Sequence, residues 1–437
     1  MRANTSTLLA VVSWLLLPIA ACSASGGNGG FISPAPGDAG DGATYDALLP
    51  DAGGDAPFWD PDGGEKDEGK LEEPPCSNAD LTGDLDHDGW SVAEGDCNDC
   101  TALMNPGAYD YPGSVDEDCN GTPDDEPLDC DQGLAADATD PFAAAQALGL
   151  CRVAQASATG KAKTWGVLTA RYVFPDGSTA SGVPKNFGAN CQGTGGEAMP
   201  PNPLSHGLIP SFGNTLVPQQ GGSMLALSSG VARSGFNGTS PSGAHMCTKS
   251  GTPSGYPVSS SGSCPNQSID TNTTAYDGIA LELRIRVPTN AKAYSFDFDF
   301  FTYEYPDFVC TAYNDFFVAL MTPAPPGAGV GGNVSFDSKG DPVSVNNGFL
   351  DACLPGTHGG KVFPCPLGVG ELDQTGFDGR GSTSWLQTSG PIVGGSEITL
   401  RYAIWDMNDD AYDSTVLVDD FSWEVEELPP QTIRPPK

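Results

Sequence analysis

The sequence predicts a mainly β protein: an antiparallel, jelly-roll-like β-sandwich, preceded by a small calcium-loop and disulfide module and a disordered acidic stalk. Three observations predict it. Apolar and polar residues alternate with period two in several runs beyond residue 152. An Asp-x-Asp-x-Asp/Asn-Gly pattern occurs twice between residues 84 and 126. Residues 23–75 are mostly Gly, Ala, Asp and Pro, too poor in apolar side chains to offset chain entropy by burial.

The chain opens on an address. Arg2 and the amino terminus make a positive start, and residues 8–19 form an apolar run too short for a comfortable membrane span. Residues 17–22 read Leu-Pro-Ile-Ala-Ala-Cys, which resembles a bacterial lipobox. The resemblance implies a signal peptide over 1–21, a lipidated Cys22, and contact with a membrane through that lipid only. The expected location is the bacterial envelope, at the outer membrane or cell surface. Residues 22–75 then form the acidic stalk.

The chain has 13 cysteines. Setting Cys22 aside leaves an even number, which suits disulfides in an oxidising compartment. Near neighbours suggest Cys130–Cys151 and Cys247–Cys264. Cys97-x-x-Cys100 lacks the second pair that a zinc site needs and is expected to form disulfides. About half of the 56 acidic side chains fall within 31–130, with only Lys66 and Lys70 as counter-charges. The formal charge of −37 excludes a nucleic-acid partner and suits divalent cations.

The elements follow in order. The module spans 76–130; Leu81, Leu85, Val92, Leu103, Met104 and Val115 are most of its candidate core, so metal or disulfides must hold its shape. Over 131–151 a short connecting helix is expected: Asp140 is a good N-cap, Pro141 suits the first turn, and Gly149 ends it. The sandwich is assigned to 152–428. Its expected strands are 164–174, 279–287, 294–301, 315–321, 396–405 and 415–425, with long loops between them, above all over 185–275. In 279–287 the residues Ile279, Leu281, Leu283, Ile285 and Val287 share one face. In the next strand Phe296, Phe298 and Phe300 alternate with Ser295, Asp297 and Asp299. The tail, 429–437, is expected to fray.

The doubled pattern carries the chemistry. In the first copy Asp84, Asp86 and Asp88 precede Gly89, the Trp90 carbonyl follows, and Glu94 closes, with Asp96, Asn98 and Asp99 near enough to share the shell. The second copy offers Asp116, Asp118 and Asn120 before Gly121, the Thr122 carbonyl, Asp124 or Asp125, and Glu126. Oxygen donors at alternate positions with a turn-forming glycine are what Ca²⁺ requires. The closing Glu comes one residue earlier than in an EF-hand, and no flanking helices are evident. Both features point to a structural ion rather than a sensor.

On these residues, with Gly95-Asp-Cys-Asn98, Asn105-Pro-Gly-Ala108 and Val115-Asp-Glu-Asp-Cys-Asn-Gly121, the stretch 84–126 resembles the metal-binding repeat named for the secreted copper-binding protein MopE. The resemblance implies metal binding and makes copper the alternative to calcium. One His (His87) and one Met (Met104) among hard oxygens favour calcium.

A second resemblance covers about 220–426. Leu227-Ser-Ser-Gly230, Phe301-Thr-Tyr-Glu-Tyr-Pro306, Tyr313-Asn-Asp-Phe-Phe317, Trp405-Asp406 and Asp413-Ser-Thr-Val-Leu417 are similar to the choice-of-anchor L domain. It implies a β-rich module of exported bacterial proteins and no reaction. Physically, these blocks put Glu304, Asn314, Asp315, Asp406, Asp409 and Asp413 at strand ends, a possible further cation site. Tyr303, Tyr305, Tyr313 and Trp405 are expected in the core rather than on a ligand-stacking surface.

No catalytic residues are identified. There is no Gly-x-Ser-x-Gly or His-Glu-x-x-His, and only four histidines. The expectation is a non-catalytic exported protein whose sandwich binds a surface glycan or protein. A copper-binding surface protein and a hydrolase of extracellular polymer, acting through 304–315 or 406–413, are the alternatives.

Overall fold

A computed structural model describes residues 81–126, 130–179, 203–233, 246, 248–258, 263–264 and 272–435. Residues 1–80, on which the expected signal peptide, lipidated Cys22 and stalk fall, lie outside the described residues. Fifteen strands occur among the described residues. They are β1 (Gly166–Val173), β2 (His206–Ile209), β3 (Met224–Ser228), β4 (Lys249–Gly251), β5 (Thr274–Arg286), β6 (Ala293–Thr302), β7 (Phe316–Thr322), β8 (Val343–Ser344), β9 (Gly356–His358), β10 (Lys361–Phe363), β11 (Gly381–Ser382), β12 (Leu386–Pro391), β13 (Glu397–Met407), β14 (Ser414–Glu424) and β15 (Gln431–Ile433).

Two antiparallel sheets make the sandwich. One runs β1-β5-β13-β7-β8 with β4 beside the start of β5; the other runs β15-β12-β6-β14-β3-β2 with β11 beside the end of β6. Register follows the alternation. Leu281, Leu283 and Ile285 of β5 lie opposite Tyr402, Leu400 and Ile398 of β13, so these two strands place large hydrophobic side chains on one face. Phe296, Phe298 and Phe300 of β6 turn toward it. Phe296 meets Tyr402 edge-on at 5.1 Å, and Phe298 meets Phe317 at 5.0 Å between ring centres. Each such side chain taken out of water contributes about 1.5–3 kcal/mol. On the outer face, Glu282 is held between Arg171 and Arg401.

The six strands read from alternation are present, several longer than expected. The helix α1 (Pro141–Ala147) is present too, and Asp140 Oδ1 accepts the Phe142 N–H at 3.0 Å. Gly149 at φ +89° closes it, as expected of a residue that must enter the left-handed region. The helix also packs into the main core through Ala143, Ala144, Ala145, Ala147 and Leu148.

Four expectations are corrected. The stretch 185–275 is not loop alone: β2, β3 and β4 lie in it. All five side chains of β3 are buried between β14 and β2, so its sequence carries no alternation to read. The tail does not simply fray, since β15 pairs with β12 and the buried Thr432 hydroxyl meets Thr388 at 3.0 Å. Cys264 pairs with Cys310 instead of Cys247; Cys130–Cys151 forms as expected, alongside Cys97–Cys119 and Cys353–Cys365.

The fourth concerns the interior of the module. Leu81, Leu85, Leu103 and Val115 are exposed, while Asp96, Asp99, Asn105, Asp110, Glu117 and Asp118 are buried with Trp90 and Ala108. Carboxylates, not aliphatics, fill it. The module docks on the sandwich through backbone and amide bonds: Thr289 N to Gly107 O (2.9 Å), Tyr109 N to Asn290 Oδ1 (2.8 Å) and Asn290 Nδ2 to Tyr109 O (2.8 Å).

Candidate functional site

The repeated sequence is a repeated turn. Gly89 and Gly121 sit at φ +99° and +96°, and the fourth residue of each copy, His87 and Cys119, is also left-handed. In the first turn the Asp84 carboxylate accepts the N–H groups of His87 (2.7 Å) and Gly89 (3.1 Å). In the second the Asp116 carboxylate accepts those of Asn120 (3.1 Å) and Gly121 (2.9 Å). Trp90 and Thr122, expected to supply carbonyls, hold matching places, each N–H donating to the side-chain oxygen two residues back, on Asp88 (2.8 Å) and Asn120 (2.9 Å). The alternate-residue spacing turns Asp118 of the second copy inward and leaves Asn120 exposed.

Around the first turn, oxygens of Asp84, Asp86 and Asp99 lie within 4.8 Å of one another, as do those of Asp86, Asp88 and Asp96. Asp86 belongs to both groups. The second oxygen, Oδ2, of Asp86, Asp88, Asp96 and Asp99 is buried and has no hydrogen-bond partner. The first oxygens are used locally: Asp99 Oδ1 accepts Leu85 N at 2.8 Å and Asp96 Oδ1 accepts Asn98 N at 2.7 Å. Burial first, then mutual repulsion, pushes the Asp88 carboxyl up to about 6 and raises Asp86 and Asp96. No Lys or Arg pairs with these carboxylates among the described residues. Buried, unpartnered and converging oxygens of one sign fit a hard cation. Glu94 stands apart from both groups; its Oε2 instead accepts the Ser91 N–H (3.2 Å) and hydroxyl (3.0 Å).

The second turn has one counter-charge of its own. Oxygens of Asp110, Asp118 and Asp125 approach within 4.8 Å of one another. The Arg152 guanidinium lies against them, Nη2 at 2.6 Å from Asp118 Oδ2 and Nε at 2.8 Å from Glu126 Oε2. Trp165 Nε1 donates to the other Glu126 oxygen at 3.2 Å. Neither Asp116 nor Glu126 joins the Asp110 group. The two turns thus share a backbone and differ in counter-charge.

The third expected set lies at neighbouring strand ends, but no three of its carboxylates form a close oxygen group among the described residues. Glu304 follows β6, Asn314 and Asp315 precede β7, Asp406 lies near the end of β13, and Asp413 precedes β14. All five are buried, while Asp409 is half-buried on the 408–413 loop. Ser414 Oγ donates to Asp315 Oδ2 at 2.7 Å, and Met407 N to Asp315 Oδ1 at 3.3 Å. Burial, reinforced by neighbouring carboxylates, raises Glu304 and Asp406; burial also raises Asp315. Of the nearby aromatics, Tyr305 and Trp405 are core, Tyr303 is half-buried and Tyr313 is exposed.

Asp110 and Arg152 were not foreseen as site residues. Asp110 lies outside the repeated pattern, and Arg152 comes from beyond the Cys130–Cys151 bridge. The one available hint was that Arg152 directly follows a cysteine whose partner lies close to the second turn.

No helix among the described residues is long and apolar enough to cross a membrane. Residues 219–424 match the family model described as the Choice-of-anchor L domain. No curated protein matches the chain.

Proposed function

We propose that this chain is an exported, lipid-anchored protein of the bacterial surface, in which calcium-held loops brace a β-sandwich that binds and performs no reaction. The observation that carries the metal half is that Asp86, Asp88, Asp96 and Asp99 each keep a buried, unpartnered Oδ2 while their carboxylates fall into two close oxygen groups that share Asp86. Asp84 would complete that shell, and the ion would supply the positive charge that the loop itself lacks. The all-oxygen donor set favours calcium over copper, because His87 is exposed and the nearby cysteines Cys97 and Cys100 are disulfide-bonded. The likeness of 84–126 to the MopE-type repeat agrees with a metal-binding module.

The family match over 219–424 supports a surface-associated sandwich. For its ligand, a cavity of about 620 Å³ is bordered by Trp385, Gln219, Asp297, Glu371, Ser384 and Arg434. Its volume is that of an ordinary small-ligand site, and an aromatic ring among hydroxyl, amide and charged groups suits a glycan.

Calorimetry of the full-length chain tests the metal claim. Melting should shift upward on adding Ca²⁺ to EDTA-treated protein, with Cu²⁺ failing to replace Ca²⁺ in competition. Melting indifferent to both chelation and calcium would remove that half. A glycan array tests the other half: binding should weaken in Trp385→Ala, and turnover of any arrayed glycan would contradict a purely binding role.

A further inference from the structure

Four strands from the two sheets end at one place. In the larger sheet β6 and β14 are neighbours, with Ser414 opposite Thr302; in the other β7 and β13 are neighbours, with Trp405 opposite Phe316. Just beyond or beside those ends stand Glu304, Asp315, Asp406 and Asp413, each no more than 2% exposed. Carboxylates removed from water need a counter-charge. Neither Glu304, Asp315 nor Asp406 forms an ion pair among the described residues. Arg380, whose charge reaches Glu304, is engaged with Asp307 at 3.0 Å and lies over the Tyr303 ring at 3.9 Å.

An observation independent of the acid count points to a ligand. Asn314 is 3% exposed, and neither its Oδ1 nor its Nδ2 has a hydrogen-bond partner. Glu304 Oε2 is buried and equally without one. A buried amide left unsatisfied at both atoms is costly, and burial of this kind persists where something else fills the coordination.

We propose that this sheet junction is a divalent-cation site, calcium by its oxygen donors, separate from the Asp-rich loops. Its ligands are drawn from Glu304, Asn314 Oδ1, Asp315 and Asp406. No three of the carboxyl oxygens here lie within 4.8 Å of one another among the described residues. Two carboxylates therefore bind with the amide oxygen, and backbone carbonyls and water complete the six to eight ligands that Ca²⁺ takes. The ion ties one sheet to the other at this end. It also fixes the loops 303–313 and 408–413. Those loops carry a contiguous aromatic group: Tyr303 stacks on Tyr412 at 5.7 Å, and Phe308 contacts Tyr412 at 5.3 Å and Tyr313 at 5.4 Å. Occupancy of the junction thus sets the shape of an aromatic surface at the end of the sandwich.

The test uses the full-length chain with the loop sites disabled by Asp86→Asn and Asp118→Asn. Calcium titration by calorimetry should still count one ion per chain. Hydrogen exchange followed by mass spectrometry should slow at least tenfold over 303–315 and 406–414 when Ca²⁺ replaces EDTA. Adding Glu304→Gln, or separately Asp406→Asn, should abolish both effects, while exchange in β5 matches the parent in EDTA. The proposal is overturned if the loop-disabled chain binds no calcium, if those segments exchange at the same rate with and without it, or if both variants keep the protection. Loss of calcium response only in Asp86→Asn would sink the junction and leave the loop site standing.

Discussion

Four positions decide how the carboxylate clusters behave. Asp86 belongs to both oxygen groups of the first turn, so Asp86→Asn should remove more than half of the calcium-dependent rise in melting temperature. Asp116→Asn should remove little, because its carboxylate, unlike that of Asp84, lies outside every close oxygen group of the module. Arg152 holds two nearly buried carboxylates, Asp118 and Glu126. Arg152→Met leaves both uncompensated, and breaking such a pair costs about 3–5 kcal/mol. Urea denaturation should show that loss in EDTA and a smaller one in Ca²⁺, since an ion can replace the guanidinium. Gly230 faces Asp413 so closely that an added Cβ would lie 2.0 Å from Asp413 Oδ2. Gly230→Ala should destabilise by about 1–3 kcal/mol through overpacking, read by the same titration. The spacing of Asp84, Asp86, Asp88 and Gly89 could be read in sequence because one turn dictates it. The part played by Arg152 could not, because only the folded chain brings it to the second turn.

The strands show the same division. Those with one buried face announce themselves by alternation, as β5 does through Leu281, Leu283 and Ile285. β3 is buried on both faces and reads as an apolar run inside a loop-rich stretch. β15 is three residues long, and its value lies in the Thr432 hydroxyl, which accepts from Phe336 N at 3.2 Å and meets Thr388. Removing residues 430–437 strips the outer neighbour from β12 and the Arg434–Asp351 ion pair. The expected loss is roughly 2 kcal/mol, from a few net hydrogen bonds of about 0.5–1.5 kcal/mol each. It should appear as a lower urea midpoint with faster exchange in β12. The helix was readable at both ends, from Asp140 and Gly149. Its alanine face, which seats it in the core, gave no such cue.

Across the protein, acid is both the solvent-facing charge and part of the interior, and that fixes the pH response. Burial, above all, pushes Asp419 up to about 7 and Asp297 up to about 6 from an ordinary value of 3.8. The folded state therefore holds these protons more tightly than the unfolded chain. Their contribution to stability is full below about pH 4 and is lost as pH rises through 6 to 7. His206 acts in the opposite sense. Burial lowers it to about 4, so its contribution is present above 6.5 and lost as pH falls through 4. With the raised carboxyls outnumbering the one lowered histidine, metal-free protein should be less stable at pH 7.5 than at pH 5 in urea titrations with EDTA, and calcium should narrow the gap. The central claim is that a cation completes the first Asp turn. Its most direct test is an anomalous difference map from crystals grown with calcium. A peak is expected within coordination distance of Asp86, Asp88 and Asp96. Carboxylates bridged there only by water or shared protons, with no anomalous peak at saturating calcium, would contradict it.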